Sequence, residues 1–299
     1  MKQFIFSFLF LLAFQLSYGQ STDSLMRSLE GKEDSTQPVI ATFKSSRLIL
    51  SQTTTMVKKN NLDFKVVHRF GDIGGTNGGS KTLWGLDNSS DIYINFEYGI
   101  SDRLNVAFGR SKFEQLLDLQ LKYALLQQTE KSPISISLLA KTGFTPYKVN
   151  TTAFDDYSNR FSYFAQAILS RKFSSNLSLQ VAPSLLKRNL VAPGGDEETL
   201  FALGFAGRYK FTKHFSALID YYKVFSSYRD DNPNINYYSP LGVGFEIQTG
   251  GHVFTMTFVN ARAIVENNFI PNSTSSWSNG HFRFGFTISR MFTLYKPKS

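Results

Sequence analysis

The stretch His281-Phe282-Arg283-Phe284-Gly285-Phe286-Thr287-Ile288-Ser289 decides how this chain is read. Phe282, Phe284, Phe286 and Ile288 recur at every second position, separated by His281, Arg283, Gly285, Thr287 and Ser289. A helix would scatter those apolar side chains around its axis. An extended strand sends successive side chains to opposite faces, so this segment has one apolar and one polar face. The same period sets Ile92, Ile94, Phe96 and Tyr98 against Asp91, Tyr93, Asn95 and Glu97. It sets Leu117, Leu119, Leu121 and Tyr123 against Asp118, Gln120, Lys122 and Ala124, and Leu241, Val243, Phe245 and Ile247 against Gly242, Gly244, Glu246 and Gln248.

Followed between turn signals, the alternation predicts twelve strands, at about 62–70, 91–100, 103–110, 114–127, 133–145, 160–173, 176–188, 198–211, 214–225, 238–248, 252–262 and 280–292. It is least clear in the sixth and seventh, where Ala, Ser and Leu occur on both faces. Most have the roughly 9 to 11 residues, or a little more, that a tilted strand needs to cross a bilayer core. Tight joints fall at Ser101-Asp102, Thr129 to Ser132, Ser174-Ser175, Thr212-Lys213 and Thr249 to Gly251. Between them lie longer polar loops, Gly71 to Ser90, Pro146 to Asn159, Asn189 to Glu197, Ser226 to Tyr237 and Ala263 to Asn279. Only Ser111 to Phe113 breaks the rule, with a tight joint where a long one is due. Short turns at one end, long loops at the other and an even strand number are the pattern of an all-β, closed antiparallel outer-membrane barrel of about twelve strands. Both mature termini then lie in the periplasm.

Composition agrees. Of 299 residues, 29 are Phe, 14 Tyr and 2 Trp, while charged residues are only 18%. A soluble β-sandwich has a polar outer face and strands of about 5 to 6 residues. Here one face of nearly every strand is Phe, Leu, Ile or Tyr, and aromatics such as Tyr98, Phe173, Phe211, Phe225 and Phe292 cluster at strand ends, where membrane interfaces take them. With no Cys, disulfides, thiolate metal sites and Cys-based catalysis are excluded. The formal net charge is +9, but Lys and Arg are dispersed along the sequence, with no run that would make a nucleic-acid groove.

The N-terminus sets the compartment. Lys2 precedes an apolar stretch, Phe4 to Leu16, and then Ser17-Tyr18-Gly19, which predicts a secretory signal peptide over 1–19 cut near Gly19. Residues 20–38 read as a flexible linker. Residues 39–61 are a pre-barrel segment with Leu48-Ile49-Leu50 but no clean period; a plug, a short strand and a segment against the barrel mouth are all compatible with it. Residues 62–294 are the barrel.

Parity assigns Lys65, Lys122, Lys141, Arg208 and Arg283 to the polar, lumen-facing side, with Glu97, Asp118, Asp220 and Glu246. A selectivity ring works when one sign dominates a constriction, whereas near-cancellation favours a network of satisfied polar groups. Twelve strands lie between barrels filled by side chains and those that leave an aqueous channel, so narrow pore, ligand cavity and plugged lumen all stay open. The four histidines make no metal site: His214 and His252 are on strands that are not neighbours, and His68 and His281 have opposite parity. Ser278-Asn279-Gly280 resembles the nucleophile tripeptide of outer-membrane phospholipases, which are twelve-stranded barrels. Their His precedes the Ser by two residues, whereas here Ser276 stands there and His281 follows. Gly74 to Thr82 lacks the Gly-Lys step and following helix of a phosphate loop. No cofactor is expected.

Beyond these patterns, the segments Ser46-Arg47-Leu48-Ile49, His68-Arg69-Phe70-Gly71, Trp84-Gly85-Leu86-Asp87-Asn88 and Glu97-Tyr98-Gly99-Ile100-Ser101-Asp102-Arg103-Leu104 resemble an uncharacterised outer-membrane β-barrel family of Bacteroidota. So do Phe201-Ala202-Leu203-Gly204, Gly207-Arg208-Tyr209-Lys210, Gly250-Gly251-His252-Val253-Phe254 and Phe284-Gly285-Phe286-Thr287-Ile288-Ser289-Arg290. The likeness runs from Thr42 to Leu294 and implies location and architecture, with Phe292 ending the assembly-signal strand; the family's function is unknown, so it implies no site residues. The expected role is a non-enzymatic narrow channel, or a barrel holding a small or amphipathic solute, in the outer membrane of a Gram-negative bacterium. The alternative is a non-conducting scaffold that docks a periplasmic partner or an external ligand. A surface lipid hydrolase is the remote third. Expected partners are outer-membrane lipid and the barrel-assembly machinery, and no nucleic acid.

Overall fold

Each strand hydrogen-bonds to the next in sequence and the last returns to the first, so the sheet has no free edge. A computed structural model describes residues 42–146, 155–191, 196–249 and 251–295. The expected signal peptide and linker lie outside the described residues. The strands are β1 Asn61–Asp72, β2 Ser89–Gly99, β3 Leu104–Ser111, β4 Leu117–Leu126, β5 Ser135–Phe144, β6 Phe161–Lys172, β7 Leu177–Arg188, β8 Thr199–Lys210, β9 Phe215–Phe225, β10 Leu241–Thr249, β11 His252–Val259 and β12 Arg283–Thr293. All neighbours are antiparallel, and β1 closes on β12 from Asn61 opposite Thr293 to Asp72 opposite Arg283. Closure is what a membrane demands of strands, because an unpaired edge in hydrocarbon strands backbone polar groups without water. Among the described residues no helix is long and apolar enough to cross a membrane; strands make the crossing.

The wall is inside out relative to a soluble protein. Phe201 is 61% exposed and Leu119 54%, while Asp220 and Lys122, on the opposite face, are 0% exposed. Along the closure, stacked rings clad the outer face, His68 5.4 Å from Phe286 and Phe70 5.6 Å from Phe284, and between β1 and β2 the tilted rings of Phe64 and Phe96 lie 5.0 Å apart. His68 therefore faces lipid.

Three of the strand limits that differ from the alternation have a clear local reason. β4 starts at Leu117 because Phe113–Gln115 forms a tight turn in which Glu114 takes φ 53°. β10 starts at Leu241 and β11 ends at Val259 because Asn260 holds both strands: its Oδ1 accepts from the Leu241 amide at 2.8 Å, and its Nδ2 donates to the Ser239 and Ser275 carbonyls. The chain then turns inward. Between β6 and β7 the register lacks a pairing of Ala167 and Ile168 with 182–183, where Pro183 offers no N–H.

Candidate functional site: the occupied lumen

Side chains lining a water-filled pore would be wet, but most of the polar inner wall is buried. Eight basic and eight acidic side chains are buried among the described residues, nearly all of them inside the barrel. Glu97 is the hub of one cluster. Lys65 reaches it at 2.8 Å and Asp63 at 2.7 Å, Lys122 reaches it at 3.0 Å, and Asn105 donates to it at 3.0 Å. Arg208 places Nε and Nη2 on one Glu246 oxygen, at 2.9 and 2.8 Å. Asp118 accepts from the Tyr93 hydroxyl at 3.1 Å. At the long-loop mouth, Arg283 pairs with Asp72 at 2.5 Å and donates to the Asn260 carbonyl. Lys141 and Asp220 bind groups that come from outside the wall. The nine residues assigned by parity thus do not form one ring of a single sign: Lys65 and Lys122 share Glu97, Arg208 pairs with Glu246, and the other four bind separate partners.

The first of the outside groups is a finger made by residues 42–60. Its root is fixed at the short-turn end, where the Asn60 amide donates to the Gly99 carbonyl at 2.9 Å and the Lys59 amide to Asp102 at 3.0 Å. Gly99 is required by this approach, since a Cβ there would sit 2.2 Å from the Lys58 carbonyl oxygen. The finger turns through 48–51, closed by bonds from Leu48 N to Ser51 O and from Thr53 N to Ser46 O, both 2.9 Å. Its other leg returns to the short-turn end, where the Thr42 carbonyl accepts from the hydroxyl of Ser178, the second residue of β7.

Mid-barrel, the tip is caught by a charged acceptor. Asp220 on β9 accepts from the Leu50 amide at 2.8 Å, the Ser51 amide at 2.7 Å and the Ser51 hydroxyl at 2.6 Å. A carboxylate is a strong partner for such donors, and a buried one needs them. Along its legs, Ser46 donates to Glu97 at 2.5 Å, Lys122 donates to the Thr55 carbonyl at 3.0 Å and Gln180 to the Gln52 carbonyl at 2.7 Å. Phe43, Leu48, Ile49 and Leu50 join Leu139, Phe164, Leu218 and Tyr222 of the wall in one buried apolar cluster. Gly242 leaves the space for Ile49, whose Cγ2 would lie 2.6 Å from a Cβ at that position.

The second intruding group is the loop between β11 and β12, which enters from the opposite mouth. Ala261, Ala263, Ile264 and Val265 are buried, as is the short helical turn Glu266–Phe269. Arg69 donates to the Ala261 carbonyl at 3.1 Å and to that of Ala263, and the Ile264 amide donates to Asp91 at 2.8 Å. Lys141 pairs with Glu266 at 2.5 Å.

Finger and loop meet at Arg47. Its guanidinium pairs with Glu266 at 3.3 Å, and donates to the Ile264 carbonyl at 2.5 Å and the Leu50 carbonyl at 3.1 Å. Burial opposes the Arg47 charge, yet Glu266 foremost holds its pKa above the usual arginine value. Burial would likewise raise Glu266, but Lys141 and then Arg47 hold it below the usual glutamate value. Both groups are charged at neutral pH, each the other's partner in a solvent-free position.

Asp63, Arg69 and Asp91 belong to the inner face with Lys65 and Glu97, and the same parity places them there, although they stood outside the assigned set. Arg47 and Glu266 lie outside every strand, where no periodicity marks them. The histidines and serines of the other hypotheses are dispersed: His281 contacts Asp72 at 3.3 Å, Ser278 bonds to Ser276 at 2.7 Å, His214 lies against the Gln248 carbonyl, and His252 stacks on Phe254.

Residues 43–292 match a protein family described as a membrane-bound β-barrel domain, DUF5777. The chain belongs to this family. The matched span begins at Phe43, so the finger is part of the DUF5777 domain rather than a leader before it. Among solved structures, the DUF5777 barrel is similar to the NanC porin (10% identity, TM-score 0.47, covering 77% of this chain and 98% of that one). It is similar to the KdgM porin (8% identity, TM-score 0.47, 78% and 99%) and to an outer-membrane channel from Pseudomonas putida F1 (12% identity, TM-score 0.49, 80% and 98%). The search of curated proteins returned no match.

Proposed function

We propose that this protein is an outer-membrane conduit for a small polar or amphipathic solute, held shut by its own N-terminal finger. The observation that carries the reading is the capture of the finger tip by Asp220 in mid-barrel. Contacts between a hairpin and a polar wall can be exchanged for water, and both legs of the finger leave toward the short-turn end, which is the periplasmic end of outer-membrane barrels. A pull or a competing partner in the periplasm would act on the finger there. The barrel reaches the membrane of a Gram-negative bacterium, a member of the Bacteroidota by its motifs, after cleavage near Gly19 and with the help of the assembly machinery. It carries out no chemistry of its own on the solute.

Proteoliposomes test this with sugars of graded size. The intact chain should exclude them, and a chain lacking 21–60 should admit the smaller ones. A second reading has its own support: Lys141 and Asp91 hold the β11–β12 loop inside the barrel through contacts that do not involve the finger. If deletion of 21–60 admits no solute, that loop alone closes the lumen and the non-conducting scaffold takes precedence.

A further inference from the structure

The positive charge that looks dispersed in sequence is left unbalanced at one end in space. At the short-turn end, positions 44, 58–59, 102–103, 130–131, 171–172, 210–213 and 290 hold ten Lys and Arg against two acidic residues, Asp102 and Glu130. The opposite end holds about as many Lys and Arg, at 81, 110, 112, 160, 187–188, 223, 229 and 262, but offsets them with acidic residues that include runs at 155–156, 196–198 and 230–231. The lumen does not absorb the excess, because its buried charges balance.

Two members of this basic collar face the lipid. Arg171 has the parity of Leu169, stands opposite Leu179 on the outer face, and lies 5.0 Å over the Phe173 ring. Arg290 stands opposite Phe64 and His252 and lies 4.9 Å over Phe292. Phe173 and Phe292 are in the aromatic belt at the membrane interface, so a guanidinium stacked on either ring sits at headgroup depth. A surface built only for a periplasmic protein would direct its charge along the barrel axis instead.

We propose that this collar binds the anionic headgroups of phospholipids in the periplasmic leaflet, with Arg171 and Arg290 as its lipid-facing contacts. The proposal rests on the barrel being inserted with its short turns inward, and is independent of whether the finger opens. The test is native mass spectrometry of the full chain released from nanodiscs of equal phosphatidylglycerol and phosphatidylethanolamine. Phosphatidylglycerol should be retained in excess, and Arg171→Gln with Arg290→Gln should cut the excess at least about fivefold, the factor one surface cation contributes near an anionic membrane. Lys187→Gln, at the far end, should leave it unchanged. A heat-dependent gel shift checks that each variant is folded. If the double variant does not fold, salt on the wild type decides: at 1 M, where charges are screened beyond about 3 Å, the excess should collapse. Equal retention of the two lipids, an excess unmoved by the double substitution or by salt, or capture of an acidic protein with no headgroup preference would each overturn the proposal.

Discussion

Arg47→Met is the most informative single change, because it removes the ion pair between finger and loop while keeping most of the side-chain volume. Arg47 and Glu266 are 2% and 0% exposed at the side chain, so the pair has no water to fall back on. Breaking a buried ion pair from one side costs about 3 to 5 kcal/mol. Lys141 remains on Glu266 at 2.5 Å, which places this case at the lower end. The Leu50 and Ile264 carbonyls also lose a charged donor. About 3 kcal/mol corresponds to roughly 150-fold in the docked-to-released ratio of the finger. Hydrogen exchange of the protein in nanodiscs reads this directly: amides over 42–57 should exchange about a hundredfold faster in the variant, while the β1 to β12 ladder keeps its protection. Finger exchange within about threefold of the wild type would refute the reasoning. So would equal loss of protection in strands and finger, since the finger would then be part of one cooperative unit with the wall.

Three further outcomes follow from the same contacts. Because Glu266 is held below its usual value, its contribution is complete above about pH 4.5 and is lost as the pH falls through its depressed folded pKa; in a Trp84→Phe background, the part of the Trp277 fluorescence change that Glu266→Gln abolishes should lie below pH 5, and a Glu266-dependent transition above pH 5 would contradict the assignment. Gly242→Val should push Ile49 out of its niche at a cost of about 1 to 3 kcal/mol, loosening 42–57 in hydrogen exchange while the heat-dependent gel shift persists; unchanged protection would show that the tip does not pack there. Asp220→Ala should leave the Leu50 and Ser51 amides without an acceptor, about 1 to 3 kcal/mol for each, and exchange at the tip should exceed exchange at the root near Asn60; uniform exchange along the finger would argue against Asp220 as the catch.

The wall was legible in the sequence because a strand reports its own two faces. Phe282, Phe284, Phe286 and Ile288 need no knowledge of their neighbours to be placed on one side, and Lys65, Glu97 and Asp220 follow by parity. The loop lengths alternate because antiparallel strands return to the same two ends. What fills the barrel was not legible. Residues 42–60 hold no period, since the finger makes one turn and contacts many different wall strands. Glu266 sits in a loop whose composition is polar and rich in Asn, yet Arg69, Lys141 and Asp91 draw it inside through partners far away in sequence. The net charge shows the same limit, for the grouping of Arg171, Lys210 and Arg290 exists only once strand ends are brought to one rim.

The central claim is that the N-terminal finger closes the lumen, and single-channel recording in planar bilayers tests it most directly. The intact chain should be silent, and the chain lacking 21–60 should show small, steady conductance steps that diminish when a synthetic peptide of residues 42–60 is added from the short-turn side. Steady conductance from the intact chain, or silence from both, would contradict it.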